Sequence, residues 1–452
     1  MNYVIIGNSV AAVGAIRGIR SIDQQGTITV ISRERHNAYG RPLISYLLGG
    51  LVTEKRMAYL PEDFYEKNRV NLLLNSEVTG IDTAARQVRI AGGDTIGYDR
   101  LLVATGGDPF IPPIEGMADK DRIFTFTTWD DAAKLKGIAS DIGRVVVIGG
   151  GLIGLKAAEG LHLLGKQITI VELADRILSA AFDRPAGRVV AKKMKANGID
   201  VITEDTVVRI EGDGAEIAGV TLRSGDFIPC DTIIVAIGVR PACGFLKGSG
   251  VEVNRGIVVD DRMETSVEVN RGIVVDDRME TSVEGIYAAG DVAEAKDFFS
   301  GVKNPMPIWP DAYIQGDIAG VSMAGGARAY EGGLAMNSIE LFKVSTISMG
   351  ITNPAEPKEY EILTYQDLEN YQYRKIVIKD GLLAGAVLVG AVDRAGIFSG
   401  LIREKIAVAP FKDQLLAPDF GFANLPKDIR TTLFAPAGKV TETGRQAVAL
   451  GH

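Results

Sequence analysis

The sequence predicts an α/β chain with two Rossmann-like three-layer nucleotide-binding domains and a C-terminal α+β domain. Three observations predict it. Two βαβ openings, each with a small-residue turn between strand and helix, begin near residues 3 and 145. Three further apolar strands end in turns rich in small residues. After about residue 330 the pattern changes to paired strands followed by a helix.

Size and composition bound the reading. At about 150 residues per domain, a chain of 452 residues divides into roughly three domains. With 46% hydrophobic, 23% charged and 7% aromatic residues, it has the composition of a soluble globular protein. The 53 glycines and only 17 prolines point to tight turns and close backbone approach. A net charge of −8 argues against a partner that tracks nucleic-acid phosphates. The longest apolar run, Leu382 to Val392, falls short of the ~18 residues of a membrane span, so no membrane insertion is expected. Two Cys and three His cannot build a disulfide framework or a multi-ligand metal cluster. The opening MNYVIIGNS has neither the basic nor the apolar region of a secretory signal, and a cytoplasmic location is expected.

The elements follow in order. Tyr3–Ile6 is a buried strand, Val10–Arg20 a helix and Thr27–Ser32 a second strand. Between the first two lies Gly7-Asn8-Ser9-Val10-Ala11-Ala12. The dinucleotide fingerprint G-x-G-x-x-G/A needs a Gly for the turn and small residues where pyrophosphate and strand approach the helix. Here Ser9 and Ala12 take the second and third places, so taken alone the turn also suits an ordinary βα unit. The second opening is complete. Strand Val145–Ile148 leads to Gly149-Gly150-Gly151-Leu152-Ile153-Gly154, then a helix Leu155–Leu164 and a strand Gln167–Glu172. Glu172 stands 18 residues past Gly154, near the roughly 20 at which an acid meets the ribose 2′-hydroxyl. Its charge repels a 2′-phosphate and favours NAD(H), and Arg176 nearby could soften that preference.

Three more strands end in small-residue turns: Tyr98 to Gly106 (YDRLLVATG), Ile233 to Pro241 (IIVAIGVRP) and Gly285 to Asp291 (GIYAAGD). Beyond them, Tyr373–Lys379 and Leu382–Val389 flank the Asp380-Gly381 turn, and a helix covers Arg394–Lys405. The stretch from Ala407 to His452 reads as an irregular surface arm, either a bland tail or a docking element. The segment Val251–Ser266 recurs unchanged as Val267–Ser282. Identical copies have not diverged, and a repeat array needs at least about three units, so the duplication is assigned no function.

The five ordered motifs resemble the FAD-dependent pyridine nucleotide-disulfide oxidoreductase superfamily, and the resemblance covers essentially the whole chain. It implies a discontinuous FAD-binding domain (1–112 and 250–325), an inserted NAD-binding domain (113–249) and a C-terminal interface domain with its arm (326–452). On the FAD side it implies Gly7, Ser9, Ala11, Ala12, Glu34, Arg41, Pro42, Val78, Ala104, Thr105, Gly106, Gly290 and Asp291, the last on the ribityl chain. On the NAD side it implies Gly149, Gly151, Leu152, Ile153, Gly154, Glu172, Ile237 and Gly238. Position 156, often Glu in such proteins, is Lys, with Glu159 one turn on. Lys156 touches either the nicotinamide or only the surface.

The chemistry is read from the thiols. The disulfide reductases need a C-x4-C helix, and the peroxidase and coenzyme A-disulfide branch needs one Cys after the first βαβ unit. The stretch Tyr39-Gly40-Arg41-Pro42-Leu43-Ile44-Ser45-Tyr46 has none. It resembles the branch that reduces rubredoxin, ferredoxins or nitrite-reductase centres, with Arg41 and Pro42 lining the flavin or lying on a surface loop. Cys230 and Cys243 read as small buried hydrophobes. His36, His162 and His452 read as packed or solvated. No catalytic side chain and no metal are therefore expected. The segments at Ile308–Ala312 and Ala335–Glu340 resemble the flavin subunits of anaerobic multi-subunit enzymes such as phenylglyoxylate dehydrogenase and the tungsten aldehyde oxidoreductases. The leading expectation is a FAD-dependent NAD(H) oxidoreductase that exchanges electrons with an iron–sulfur or rubredoxin-type protein. It would assemble as a hetero-oligomer or homodimer through its C-terminal domain. The alternatives are a stand-alone NADH oxidase or NADH:rubredoxin reductase, and an NADH-binding assembly flavoprotein with little turnover.

Overall fold

A computed structural model of the chain describes residues 1–259 and 265–433. They fall into two compact units. The first comprises 1–110, 127–129 and 238–334, and the second 111–126, 130–237 and 335 onward.

The first unit is built on a parallel five-stranded sheet. Its order is Ile286–Ala288, Arg100–Val103, Asn2–Ile6, Thr27–Ile31, Val70–Leu73. The central strands are apolar and buried on both faces, as a helix-covered parallel sheet requires. The helices Val10–Ile22 and Trp309–Met323 cross at unusually close range. A Cβ on Gly14 would stand 2.3 Å from the Tyr313 carbonyl oxygen, and one on Gly316 would stand 2.0 Å from that of Ala11. Gly18 and Gly320 repeat the contact one turn on. Part of the glycine excess is therefore spent on a backbone-to-backbone helix crossing.

The two copies pair with each other. Val253–Val259 of the first copy pairs antiparallel with Thr265–Val274, which is mostly second copy and continues the sheet to Ala293–Lys296. The first copy is thus an added edge strand.

The second unit holds another parallel sheet, ordered Asp200–Thr203, Gln167–Glu172, Arg144–Ile148, Thr232–Val235, Ile123–Phe124. It also contains an antiparallel five-stranded sheet, Met336–Leu341, Val344–Gly350, Leu382–Val389, Gln372–Lys379, Glu361–Asp367. The two are tied by a buried cluster. Asp183 caps the helix Arg184–Ala196 through the Ala186 amide, and its other oxygen accepts from the Tyr373 hydroxyl at 2.6 Å and Lys375 Nζ at 3.0 Å.

The middle stretch of the second unit ends at Ile237, and the first unit resumes at Gly238. Val239–Pro241 pairs with Gly107–Pro109, and the Thr105 hydroxyl donates to the Ala242 carbonyl, so this segment belongs to the first unit. The stretch after Ala407 is not a surface arm as far as Ile429. Phe411, Leu415, Phe420, Leu425 and Ile429 are buried, Phe420 lies against Phe398 and Phe411, and Arg374 donates to the carbonyls of Leu415 and Ala417. Short 3-10 turns, Ala409–Gln414 and Phe422–Asn424, and the helix Lys427–Leu433 bring these apolar residues inward, and their spacing along the stretch matches neither helix nor strand period. The remainder of the expected arm, 434–452, lies outside the described residues.

Candidate nucleotide-binding sites

In the first unit three distant motifs meet, because their strands are neighbours and all parallel. Ligands of such sheets bind beyond the carboxyl ends of the strands. Strand Asn2–Ile6 ends at Gly7, whose φ is +109° and whose missing Cβ would sit 2.1 Å from the Ala104 carbonyl oxygen. Only Gly serves there. Ser9 is the N-cap of the following helix and makes no side-chain cap bond. The next strand delivers Ala104, Thr105 and Gly106, and the third delivers Gly290 and Asp291. Ala11 lies opposite Gly290, 3.4 Å from where its Cβ would be.

This corner fits a flavin nucleotide. Gly106 has φ +70° and no heavy atom within 4 Å of its absent Cβ, an open cradle where Gly7 is jammed. Asp291 is half-buried, and among the described residues no side-chain hydrogen bond holds its carboxylate. Burial raises its pKa above the usual range, and the Arg41 guanidinium pulls it back. An acceptor held at that cost suits the hydroxyls of a bound nucleotide.

Arg41 and Glu34, both among the residues the resemblance implied for the FAD side, pair with each other. Arg41 donates to Glu34 Oε1 and to the Thr127 carbonyl, both at 2.6 Å. The Tyr39 hydroxyl donates to Glu34 Oε2 at 2.8 Å and accepts from the Trp129 amide at 3.0 Å. Burial weakens the charge on Arg41, but Tyr39, Glu34 and Asp291 more than offset it and raise its pKa. His36 stacks on Trp129 with centroids 4.4 Å apart. Pro42 is the middle residue of the short 3-10 turn Arg41–Leu43, and Val78 starts a strand packed on the unit's core.

Sequence reasoning missed three of these residues, Tyr39, Thr127 and Trp129, as contributors to the corner. It also missed Gln315, which is 1% exposed. Gln315 accepts from the Gly290 amide at 2.8 Å and donates to Asp311, which in turn accepts from Tyr330. No local spacing signals these links, since Arg41 and Thr127 are 86 residues apart.

The second unit repeats the logic. Gly149 has φ +108°, and its Cβ would stand 2.3 Å from the Ala236 carbonyl oxygen. A Cβ on Gly154 would meet the Gly149 carbonyl oxygen at 2.0 Å. These two glycines serve the turn and the helix–strand packing. Gly151, the N-cap of helix Leu152–Leu163, has nothing within 4 Å of its absent Cβ. It is the open place where a pyrophosphate would approach, beside the part-exposed Leu152 and Ile153. Glu172 ends its strand against this turn, accepting from the Gly150 amide at 2.6 Å and the Ala174 amide at 2.8 Å. Ile237 is 38% exposed, and Gly238 has φ +120° with open space around it.

Lys156 turns toward the C-terminal sheet. It pairs with Glu159 and donates to the Glu340 carbonyl at 3.1 Å, while Glu159 Oε1 accepts from the Phe342 amide at 2.7 Å. Cys230 and Cys243 are each 2% exposed. Burial, with Asp231 adding to it, pushes the Cys230 thiol up to about 12, so it stays protonated at neutral pH.

Comparison with known proteins places the chain in a family. The pyridine nucleotide-disulphide oxidoreductase family matches residues 1–269 and 266–316, and the overlap falls where the second copy of the repeat begins. The rubredoxin NAD+ reductase C-terminal domain matches 336–406. The chain is 34% identical over 92% of its length to the epsilon subunit of NADH-dependent phenylglyoxylate dehydrogenase from Aromatoleum evansii, 94% of which is covered. It is 31% identical over 92% of its length to the nitrite reductase (NAD(P)H) of Bacillus subtilis (strain 168), spanning 49% of that protein. A solved NAD-dependent persulfide reductase from A. fulgidus superposes with a TM-score of 0.80 at 28% identity, over 92% of this chain and 79% of that one. Its two fingerprint turns and these likenesses make the chain a member of the pyridine nucleotide-disulphide oxidoreductase family, an NAD(H)-dependent flavin oxidoreductase that uses FAD.

Proposed function

We propose that this flavoprotein exchanges single electrons with an iron–sulfur or rubredoxin-type protein, as the NAD+-reducing flavin subunit of a multi-subunit oxidoreductase. Bound FAD supplies the step between hydride and single electrons. The chain contributes two nucleotide sites and, on this reading, no thiol relay. The observation that carries the reading is the state of the thiols. Ser45 stands in the stretch where the thiol branch has its Cys, and both cysteines of the chain are buried in cores. The likeness to a dehydrogenase subunit and to the rubredoxin reductase C-terminal domain supports it. We read the first unit as the FAD-binding body and the parallel sheet of the second as the NAD-binding body. The C-terminal sheet is read as the assembly surface, in a hetero-oligomer or homodimer. Two buried free thiols fit a reducing compartment, and the cytoplasm is the proposed location. No helix among the described residues is long and apolar enough to cross a membrane.

Stopped-flow mixing of the NADH-reduced FAD protein with rubredoxin, a ferredoxin or air-saturated buffer tests the reading. Rapid reduction of an iron protein, slow consumption of O2 and no change in the Cys230→Ser/Cys243→Ser double variant are expected. Oxygen consumption faster than any iron-protein reduction would mean an oxidase instead.

A further inference from the structure

Four residues past the acid read as meeting the ribose in the second unit stands an arginine, Arg176, and the carboxylate of Asp175 holds both it and Arg184. After Glu172 the chain folds back over the fingerprint. The Leu178 amide donates to the Gly150 carbonyl at 2.8 Å, and Ile177 Cγ2 stands 2.8 Å from the absent Cβ of Gly150. The 175–178 segment therefore borders the same turn that Glu172 meets. In it, Arg176 is held through all three of its guanidinium nitrogens. Its Nε donates to the Phe182 carbonyl at 2.9 Å, one terminal nitrogen to the Ser179 carbonyl at 3.3 Å, and the other to Asp175 Oδ1 at 2.6 Å. The second oxygen of Asp175 takes Arg184 Nε.

Dinucleotide folds reject a 2′-phosphate with an acid at the strand end and accept it with a nearby arginine. This chain carries both kinds of residue within five positions, Glu172 and Arg176. We propose that Asp175 is a positioning residue for coenzyme choice: by holding Arg176, and secondarily Arg184, it denies the 2′ position a cation and keeps the site selective for the unphosphorylated nucleotide. The inference rests on reading the second unit as the NAD(H) site. It assigns part of the selectivity to a residue that does not itself meet the nucleotide. Asp175 is largely ionised in this setting, because the two guanidinium groups outweigh the effect of burial on its carboxyl.

The test is equilibrium binding to the FAD-loaded protein of AMP and of adenosine 2′,5′-bisphosphate, which differ only in the 2′-phosphate, together with KM and kcat for NADH and NADPH. In Asp175→Asn the affinity ratio of bisphosphate to AMP should rise about tenfold, the scale of one charge-assisted hydrogen bond. The KM for NADPH should fall. Adding Arg176→Met should cancel the gain, and Asp175→Glu should restore the original ratio. Asp175→Ser provides a second variant lacking the charge. A folded Asp175→Asn or Asp175→Ser protein with the original ratio overturns the proposal, as does a gain that survives Arg176→Met. An original protein that binds both ligands equally well overturns the reading of Glu172 beneath it, a result distinct from the other two.

Discussion

At the residue scale, the Asp291 carboxylate, proposed above to face the flavin nucleotide, is kept half-buried at a cost to the fold. Burial makes the folded chain hold this proton more tightly than the unfolded chain does. Such a group subtracts stability once the pH rises above the ordinary carboxyl value of 3.8, and the penalty is in force at neutral pH. Asp291→Asn should therefore raise the melting temperature of the FAD-free chain at pH 7. The same change should weaken FAD retention about tenfold, since an amide is a poorer acceptor than a carboxylate. Melting of the stripped protein and flavin fluorescence after gel filtration measure the two effects separately. Normal retention in the variant would remove Asp291 from the site.

At the element scale, the crossing of helices Val10–Ile22 and Trp309–Met323 aligns two parts of the candidate flavin corner. One helix carries Ser9 at its cap and Ala11 in its first turn, and the other carries Gln315, which holds the Gly290 amide. The alignment depends on glycine. Gly316→Ala puts a methyl group 2.0 Å from the Ala11 carbonyl oxygen, and the helices must separate. A loss of about 1–3 kcal/mol in denaturant unfolding and weaker FAD retention are expected together. The duplication makes the opposite prediction. Deleting either copy gives the same polypeptide, in which the remaining copy supplies the strand that pairs with Ala293–Lys296. That 436-residue chain (452 minus 16) should fold, bind FAD and keep its NADH-to-dye activity. Failure to bind FAD would show that the added edge strand supports the site.

At the scale of the whole molecule, the segment after Lys405 decides how the partner surface can be probed. Cutting after Lys405 removes Phe411, Leu415, Phe420 and Leu425 from their core. Loss of a buried Phe alone costs about 3–5 kcal/mol, so this truncation should unfold the C-terminal sheet, as seen by proteolysis of 335–405. Cutting after Leu433 removes none of these residues and should leave both NADH-to-dye turnover and the melting temperature in place. Any loss of iron-protein exchange in that shorter chain would then locate docking in the tail. Equal stability of the two truncations would contradict the packing described. Helix Arg184–Ala196 is anchored to the C-terminal sheet through Asp183, Tyr373 and Lys375, so damage to that sheet should also reach the parallel sheet of the same unit.

The sequence alone determined the two fingerprint turns, the strands that feed them, the acid at Glu172 and the absence of a flavin-adjacent cysteine motif. These are local requirements. A turn with positive φ and a carbonyl 2.1–2.3 Å from the missing Cβ, as at Gly7 and Gly149, admits only glycine, and the need is written within six residues. The tertiary structure alone decided what the long side chains do. Lys156 is engaged with Glu159 and the C-terminal hairpin, Arg176 is tied to Asp175, and Arg41 reaches across 86 residues to Thr127. It also decided that the stretch read as an arm packs into a core as far as Ile429, and that the first unit resumes at Gly238. Such pairings depend on which strand ends and turns become neighbours in space. That juxtaposition is a property of sheet order and leaves no periodic trace along the chain.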